Sequence, residues 1–563
     1  MDDLKKLTLK SLLNYSAKKY SDKPALSFVS GTPISYSELR ESVQELSKFL
    51  HHHGIIVGDK VAILSENNPN WGIAYFAITT MGAIAVPILP DFHVTEVHHI
   101  LRHSNCKAIF VSEKYYEKIE DFRSDTLSSI ILINDFSLIP LETSKVVLKK
   151  LILEGSKEIA KIKEAALRLT KIISPEVQED DIAVIIYTSG TTGHSKGVVL
   201  THKNIVFDAI ATLKIQNITT DDRLLSILPL PHTYECTIGF IVPLIRGACI
   251  YYLEKPPTAR VLLPAMQKIK PTMILTVPLI IEKIFKTKIS PNFTHNTIIR
   301  KLYHFPPIRK ILHKLAGKKL MKSFGGKLRF FGIGGALLSP EVEKFLREAK
   351  FPYAIGYGLT ETSPLIAGSS AEMTKYRSTG YVIPGVEVQI INQNKQTGEG
   401  EIVVKGDNVM KEYYKDPEGT ANVFTKDGWF KTGDLGLLKR NKYLYIKGRL
   451  KNIIVGPSGE NIYPEEIESA INECNYVFES LVFQKQEKLM VRVYLNYEEI
   501  DREFAHHKFT ETQLKKKISE ILNNIRTDVN AKVSSFSKIY NIIEQQEPFK
   551  KTPTQKIKRY LYV

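Results

Sequence analysis

The apolar positions along the chain follow two rhythms. From the amino terminus to about residue 140, stretches with a helical period alternate with short, continuous apolar runs, as in a helix over Ser37 to His53 followed by a strand over Lys60 to Leu64. This alternation predicts an α/β architecture with largely parallel sheets, because buried parallel strands are apolar on both faces. The Lys-, Leu- and Glu-rich segment from Ser144 to Leu169 predicts an exposed, inserted helix. The run Ile182-Ala183-Val184-Ile185-Ile186 predicts a buried strand, and Val198-Val199-Leu200 a second one. The strand–loop–helix rhythm continues from 200 to 380. Within it, Ser339-Pro340-Glu341 marks a helix start, with an N-cap, a proline in the first position and an early acid.

From about Gly380 to Ile446 the rhythm shortens. Val386–Ile390, Glu401–Val404 and Tyr443–Ile446, punctuated by glycines, predict a small antiparallel unit or barrel. After Gly448 come a hairpin-like start, a helix from Pro464, further strands and a long basic helix. The expected division is a large N-terminal domain over 1–448, made of parallel-sheet α/β subdomains plus a small β-barrel, and a small α+β domain over 449–563. A length of 563 residues is consistent with two or more domains.

Composition changes this picture little. With 43% hydrophobic and 24% charged residues, the chain reads as an ordinary globular protein rather than a disordered or membrane-embedded one. The 4 cysteines (Cys106, Cys236, Cys249, Cys474) contain no CxxC pair, so neither a zinc site nor a disulfide framework is expected, and a reducing compartment fits best. The segment Met1 to Lys6 lacks the apolar core of a signal peptide. The most apolar stretch, Thr237 to Leu253, is broken by Arg246 and Gly247, short of the roughly 18 residues a span requires. A cytoplasmic location is expected.

Charge adds one feature. The net charge is +17, and no acid occurs between Glu282 and Glu341 while Lys and Arg recur among Ile298, Leu302, Phe305, Ile311, Leu312 and Leu315. A basic amphipathic helix of this kind suits the inner, anionic face of a membrane, and a solvated basic face is the competing reading. No nucleic-acid-binding motif accompanies the charge, and no nucleic-acid partner is expected.

The chemistry is concentrated in ordered motifs. Between the two predicted strands lies Tyr187-Thr188-Ser189-Gly190-Thr191-Thr192-Gly193-His194-Ser195-Lys196-Gly197. Glycines allow turns that aim several N–H groups at one point, hydroxyls add donors and Lys196 adds a charge, which together make a cradle for a polyphosphate. The P-loop pattern cannot be laid onto it. Further on stand Leu228-Pro229-Leu230-Pro231-His232-Thr233-Tyr234-Glu235, Phe331-Gly332-Ile333-Gly334-Gly335-Ala336, Gly356-Tyr357-Gly358-Leu359-Thr360-Glu361-Thr362, Gly428 to Gly436 around Asp434, Gly448-Arg449-Leu450-Lys451-Asn452, Ser458-Gly459-Glu460, and Lys550 to Arg559.

In this order the motifs resemble those of the acyl-adenylate-forming superfamily, which includes acyl-CoA synthetases, the adenylation domains of peptide synthetases and firefly luciferase. The resemblance covers essentially the whole chain. Ser195 stands where the family most often has proline, Asn452 replaces a more frequent acid, and Gln555 replaces glycine. The version from Pro229 through His232 to Glu235 is similar to that of long-chain acyl-CoA synthetases.

The resemblance implies ATP, Mg²⁺ and coenzyme A as ligands and a fatty acid as substrate. Thr188, Ser189, Gly190, Thr191, Thr192, Gly193 and Lys196 would hold phosphates, and Gly334, Gly335 and Ala336 would border adenine and the acyl pocket. In the next motif, Gly356 and Gly358 would flank Tyr357, which would stack on adenine. Thr360 would donate to the α-phosphate, while Glu361, with Thr188, would hold Mg²⁺. The resemblance further gives Asp434 to the ribose, Arg449 to ribose or phosphate, Lys451 to an interdomain pivot and Gly459 to the pantetheine channel. His232 would lie beside the carboxylate, and Lys556 would bridge carboxylate and α-phosphate, with Lys551 and Lys558 as alternatives in the same basic tail. An acyl carrier protein in place of coenzyme A, a short, aromatic or amino acid in place of the fatty acid, and a non-catalytic, membrane-associated acyl-binding relative are the alternative functions.

Overall fold

The computed structural model describes residue 4 and residues 6–563 apart from 142, 155–175, 189–194, 295–296, 440–442, 457–460, 505–509 and 553–555. Three large sheets and the helices that cover them form the first 449 residues. The α/β expectation holds.

One sheet has five parallel strands at its centre: Ile182–Thr188, Ile84–Pro87, Lys60–Leu64, Cys106–Val111 and Ser129–Leu132. Lys196–Thr201 folds back antiparallel to Ile182–Thr188, so the two apolar runs that flank the glycine-rich loop form a hairpin, with Thr188 opposite Lys196. A second sheet runs Tyr353–Ile355, Phe330–Ile333, Met273–Thr276, Arg223–Ser226, Cys249–Tyr252 and Pro24–Phe28, all parallel, with Ile34–Ser35 antiparallel at its edge. Helix Pro69–Thr80 is buried on nearly all sides, and Trp71, Tyr75 and Phe76 meet Phe240 there.

The third sheet is antiparallel and seven-stranded; it takes in the short glycine-punctuated stretch and adds strands Tyr357–Gly358 and Leu365–Gly368 ahead of it. Its strands Phe430–Lys439 and Tyr443–Arg449 place Asp434 directly opposite Arg449. Beyond it, a two-stranded ribbon (Ile454–Val455, Asn461–Ile462) leads to helix Pro464–Asn472. A three-stranded sheet (Val477–Lys485, Lys488–Leu495, Asn541–Gln545) and helix Glu511–Asn530 complete the chain. Ile467, Ile471, Val491, Ile521 and Val529 share a core cluster there, apart from the two clusters of the preceding residues.

Predicted elements and structure agree closely where the pattern is local. The helix read over Ser37 to His53 is Tyr36–His52, closed by a capping box in which Ser35 and Glu38 exchange hydrogen bonds. The inserted helix read over Ser144 to Leu169 begins as Lys145–Glu154, and its remainder lies outside the described residues. The apolar stretch from Thr237 to Leu253 is divided between π-helix Tyr234–Ile241, helix Val242–Ile245 and strand Cys249–Tyr252. Among the described residues no helix is long and apolar enough to cross a membrane.

Candidate active site

A cleft of about 1940 Å³ opens between the sheets and the carboxy-terminal region. Thr188, Lys196, His232, Gly334, Gly335, Ala336, Gly356, Tyr357, Gly358, Thr360, Glu361, Asp434, Arg449, Lys451, Lys556 and Lys558 line it, whereas Lys551 does not. Ser189, Gly190, Thr191, Thr192, Gly193 and Gly459 lie outside the described residues.

On one wall, Lys196 leaves its strand to meet Asp416 (Nζ to Oδ2, 3.2 Å) and lies over the Tyr413 ring, 4.7 Å from its centre. Tyr413 in turn donates its hydroxyl to Glu361 Oε1 at 2.8 Å. Tyr413 and Asp416 were not singled out from the sequence. They arrive because Glu412–Tyr413 pairs with the returning strand, Glu412 opposite Val199, and because Asp416 caps helix Pro417–Val423 by accepting from the Gly419 amide at 2.8 Å. An Asp before a proline at a helix start was the available signal.

Thr360 and Glu361 form a 3₁₀ turn, Thr360–Thr362, that follows strand Tyr357–Gly358. The chain doubles back so tightly here that a Cβ on Gly358 would stand 1.8 Å from the Pro364 carbonyl oxygen. That same oxygen accepts from the Leu359 amide at 3.0 Å. Glu361 and Thr188 offer oxygen donors suited to Mg²⁺, which takes one or two protein carboxylates together with phosphates and water rather than a protein cage. The described residues contain no cluster of three or more His, Cys, Asp or Glu able to hold a metal.

Asp434 is 4% exposed. It accepts from the Tyr357 hydroxyl at 2.7 Å, and Arg449 Nε lies 2.8 Å from its other oxygen. Burial outweighs both donors and raises its pKa above the ordinary carboxylate value. Tyr357 is thus tied to the carboxylate through its oxygen while its ring lines the cleft.

His232 and Tyr234 form the next wall. Burial, reinforced by the positive charge of Lys556, lowers the His232 pKa to about 4, so the ring is neutral at pH 7. Its Nδ1 accepts from the Tyr234 amide at 3.3 Å, which assigns the proton to Nε2. The Tyr234 ring lies against the glycine-rich strand end, where a Cβ on Gly334 would come within 3.1 Å of it. Gly335 has φ +88°, a left-handed conformation that favours glycine. Glu235 is buried: its Oε1 accepts from Ser226 at 2.5 Å, Oε2 has no partner, and burial pushes its pKa up to about 8.

Lys556 stands in the cleft, open to its solvent yet surrounded by protein. Burial and the neighbouring Arg449 lower its pKa, while Asp434 and Glu361 oppose them. On either side of Lys556, Lys551 is bridged to Ile557, and the Thr552 amide donates to the Lys556 carbonyl at 2.7 Å. Arg559 anchors the segment on Glu468 at 2.5 and 2.7 Å. Lys551 is held by an ion pair with Glu479, Lys558 lines the cleft as Lys556 does, and the charge of Lys556 acts on His232. At the junction of the two regions, Lys451 sits in turn Leu450–Asn452, and Asn452 donates to Glu465 at 2.6 Å.

The AMP-binding enzyme family model matches residues 13–414. The chain belongs to that family. A long-chain-fatty-acid–CoA ligase of Bacillus subtilis (strain 168) is 31% identical over 84% of this chain and 82% of its own length. A 4-coumarate–CoA ligase 1 of Arabidopsis thaliana is 28% identical over 83% of this chain and 78% of its own. The fold matches that of an o-succinylbenzoate coenzyme A synthetase from Bacillus subtilis, solved with ATP and magnesium ion, with TM-score 0.72, 22% identity and 98% of each chain covered. The chain is an acyl-adenylate-forming member of the family's acid–CoA ligases.

Proposed function

We propose that the acid is a long-chain fatty acid and that the acceptor is coenzyme A. The observation that carries acid activation is that the charge of Lys556 acts on His232 and is met by Asp434 and Glu361, residues from motifs far apart in the chain. Support for a long chain comes from the Pro229–Glu235 motif and the 31% identical relative. Leu228, Val277, Leu279 and Ile280 give the cleft part of an apolar lining.

In the first half-reaction, a carboxylate oxygen attacks the α-phosphorus of ATP. That bond forms as the bond to the bridging oxygen breaks, and pyrophosphate leaves. Two anions must approach, so the residues act chiefly by holding charge. Lys556 would bridge carboxylate and α-phosphate, and Thr360 would donate to the same phosphate. Lys196 and the loop donors from Thr188 to Gly193 would hold the leaving group. Asp434 would accept from the ribose hydroxyls, with Tyr357 and Arg449 fixing its orientation. A Mg²⁺ ion held by Glu361 and Thr188 would neutralise phosphate charge. Neutral His232 would donate through Nε2 to the carboxylate. Donors fixed in advance are typically worth about 10²–10³ in rate each.

In the second half-reaction, the coenzyme A thiol attacks the acyl carbonyl, loses its proton, and AMP departs. We place the domain boundary after Gly448 and propose rotation about Lys451, withdrawing Lys556 and bringing the Gly459 loop to the cleft. The lid domain would then be residues 449–563.

We further propose that the basic helices contact an anionic membrane. Phe305, between helices Thr297–Tyr303 and Pro306–Ser323, and Ile311 and Leu315 on the second helix face outward, 60%, 58% and 54% exposed. Lys310, Lys314, Lys318 and Lys322 share that outer face with no acid among them. A helix that is apolar on its solvent side as well as its core side has a second surface to cover.

The experiment for the reaction measures pyrophosphate release with acids from acetate to oleate, and with aromatic acids, with and without coenzyme A. The reading predicts release with oleate-length acids and thioester only when coenzyme A is present. Release with aromatic or short acids alone would contradict the substrate class.

A further inference from the structure

The two domains exchange helix-end groups across their interface. Lid helix Pro464–Asn472 ends against the large domain, where Lys286 donates its ammonium to the carbonyl of Asn472 and, at 2.9 Å, to that of Val477. In the opposite direction Glu473, the residue that closes the lid helix, reaches helix Pro340–Glu348 of the large domain. Its Oε1 accepts from the Ser339 hydroxyl at 3.2 Å and from the Glu341 amide at 3.4 Å.

Each contact makes physical sense only across the interface. An acid at a helix C-terminus faces the negative end of the helix dipole and is disfavoured there, while the same acid at a helix N-terminus is stabilising. Glu473 occupies the first position in the lid and the second with respect to helix Pro340–Glu348. Ser339 stands at the N-cap of that helix yet makes no side-chain cap of its own, so Glu473 supplies the missing acceptor. Its amide is taken separately by Glu282 at 2.8 Å. Lys286, in turn, is a cation at the end of a helix that carries none in its last turn.

These pairs hold the lid in the arrangement that brings Lys556 next to His232. From this reciprocity we infer that Lys286 and Glu473 form an interdomain latch that selects the acid-activating arrangement over the thioester-forming one. The inference rests on the proposed function, because it presupposes that the lid alternates. Both are positioning residues: they act on the reaction through the lid. A latch shifts the equilibrium between two arrangements by its differential contacts, so its loss lowers the first half-reaction without lowering the second.

The test compares the full-length protein with Lys286→Met and Glu473→Gln in two assays. One is acid-dependent exchange of pyrophosphate into ATP without coenzyme A; the other is thioester formation from supplied acyl-adenylate and coenzyme A. The latch predicts that exchange falls about tenfold in each variant, as for loss of one charge-assisted contact, while thioester formation is unchanged or faster. Glu473→Gln keeps the size of the side chain, so it decides the matter if Lys286→Met fails to fold. Unchanged exchange, or an equal fall in both half-reactions, would overturn the latch. Absence of exchange in the unaltered protein with every acid would overturn the function reading, and the latch with it.

Discussion

Asp434 and Arg449 face each other on neighbouring antiparallel strands, with Arg449 Nε 2.8 Å from Asp434 Oδ1. The pairing fixes a buried carboxylate just ahead of the turn Leu450–Asn452, and Tyr357 holds its second oxygen. A carboxylate oriented by two donors keeps lone pairs for two further hydroxyls, as a ribose presents. Replacing Asp434 by Asn removes the charge while keeping the shape. The expected outcome is a rise in KM for ATP of about tenfold or more, corresponding to one charge-assisted hydrogen bond. Steady-state kinetics with varied ATP check it, and an unchanged KM would remove Asp434 from the nucleotide site.

Glu235 gives a pH prediction. Its folded pKa is about 8, against an ordinary value of 4.5, because it is buried. The folded state therefore keeps a proton that the unfolded chain releases above about pH 4.5, so this group lowers stability progressively as pH rises from there to about 8. Glu235→Gln preserves the acceptor for Ser226 and cannot ionise. The variant should match the parent in Tm near pH 4.5 and exceed it by a few degrees at pH 8, about 2–4 °C for each kcal/mol recovered. Thermal melts across that range decide it, and a constant difference would show that Glu235 is ionised in the fold.

Gly358 is required by close approach rather than by a left-handed backbone. An alanine there would drive its Cβ into the Pro364 carbonyl, which would have to move away from the Leu359 amide. Gly358→Ala should destabilise the protein by about 3 kcal/mol, at the upper end for overpacking. Chemical denaturation measures this, and because the turn carries Thr360 and Glu361, adenylation should fall as well.

How much of this was legible in the sequence depends on how local each cause is. Lys60–Leu64, Tyr36–His52 and Pro464–Asn472 follow from apolar period and capping residues within the segment, and the structure has them within a residue or two of the reading. The site motifs were legible because glycine, hydroxyl and charged residues recur in a fixed order along one chain. What stayed hidden depends on distant partners. Tyr413 reaches Glu361 only because strand Glu412–Tyr413 pairs with a hairpin more than two hundred residues earlier. Ser339 was legible as a helix start, but not that its cap would come from Glu473 at the end of helix Pro464–Asn472. Lys286 sits in an acid-free basic stretch and reads as surface charge until the lid helix is placed against it.

The outward face of helix Pro306–Ser323 gives a binding prediction. Sedimentation with vesicles containing anionic lipid should retain the protein at low salt, and neutral vesicles should not. Ile311→Ser combined with Leu315→Ser should abolish retention while leaving pyrophosphate release in solution unchanged. High salt should weaken binding, at about 1 kcal/mol for each basic contact near the surface. Equal binding to neutral and anionic vesicles, or capture by RNA in their place, would contradict a membrane partner.

The central claim is that Lys556 activates the acid and then withdraws. Its most direct test is Lys556→Ala assayed in the two half-reactions separately. The account predicts that adenylate formation drops by about 10²–10³, as for a preorganised donor, while thioester formation from supplied acyl-adenylate and coenzyme A is largely spared. An equal loss in both, or full adenylate formation without Lys556, would contradict it.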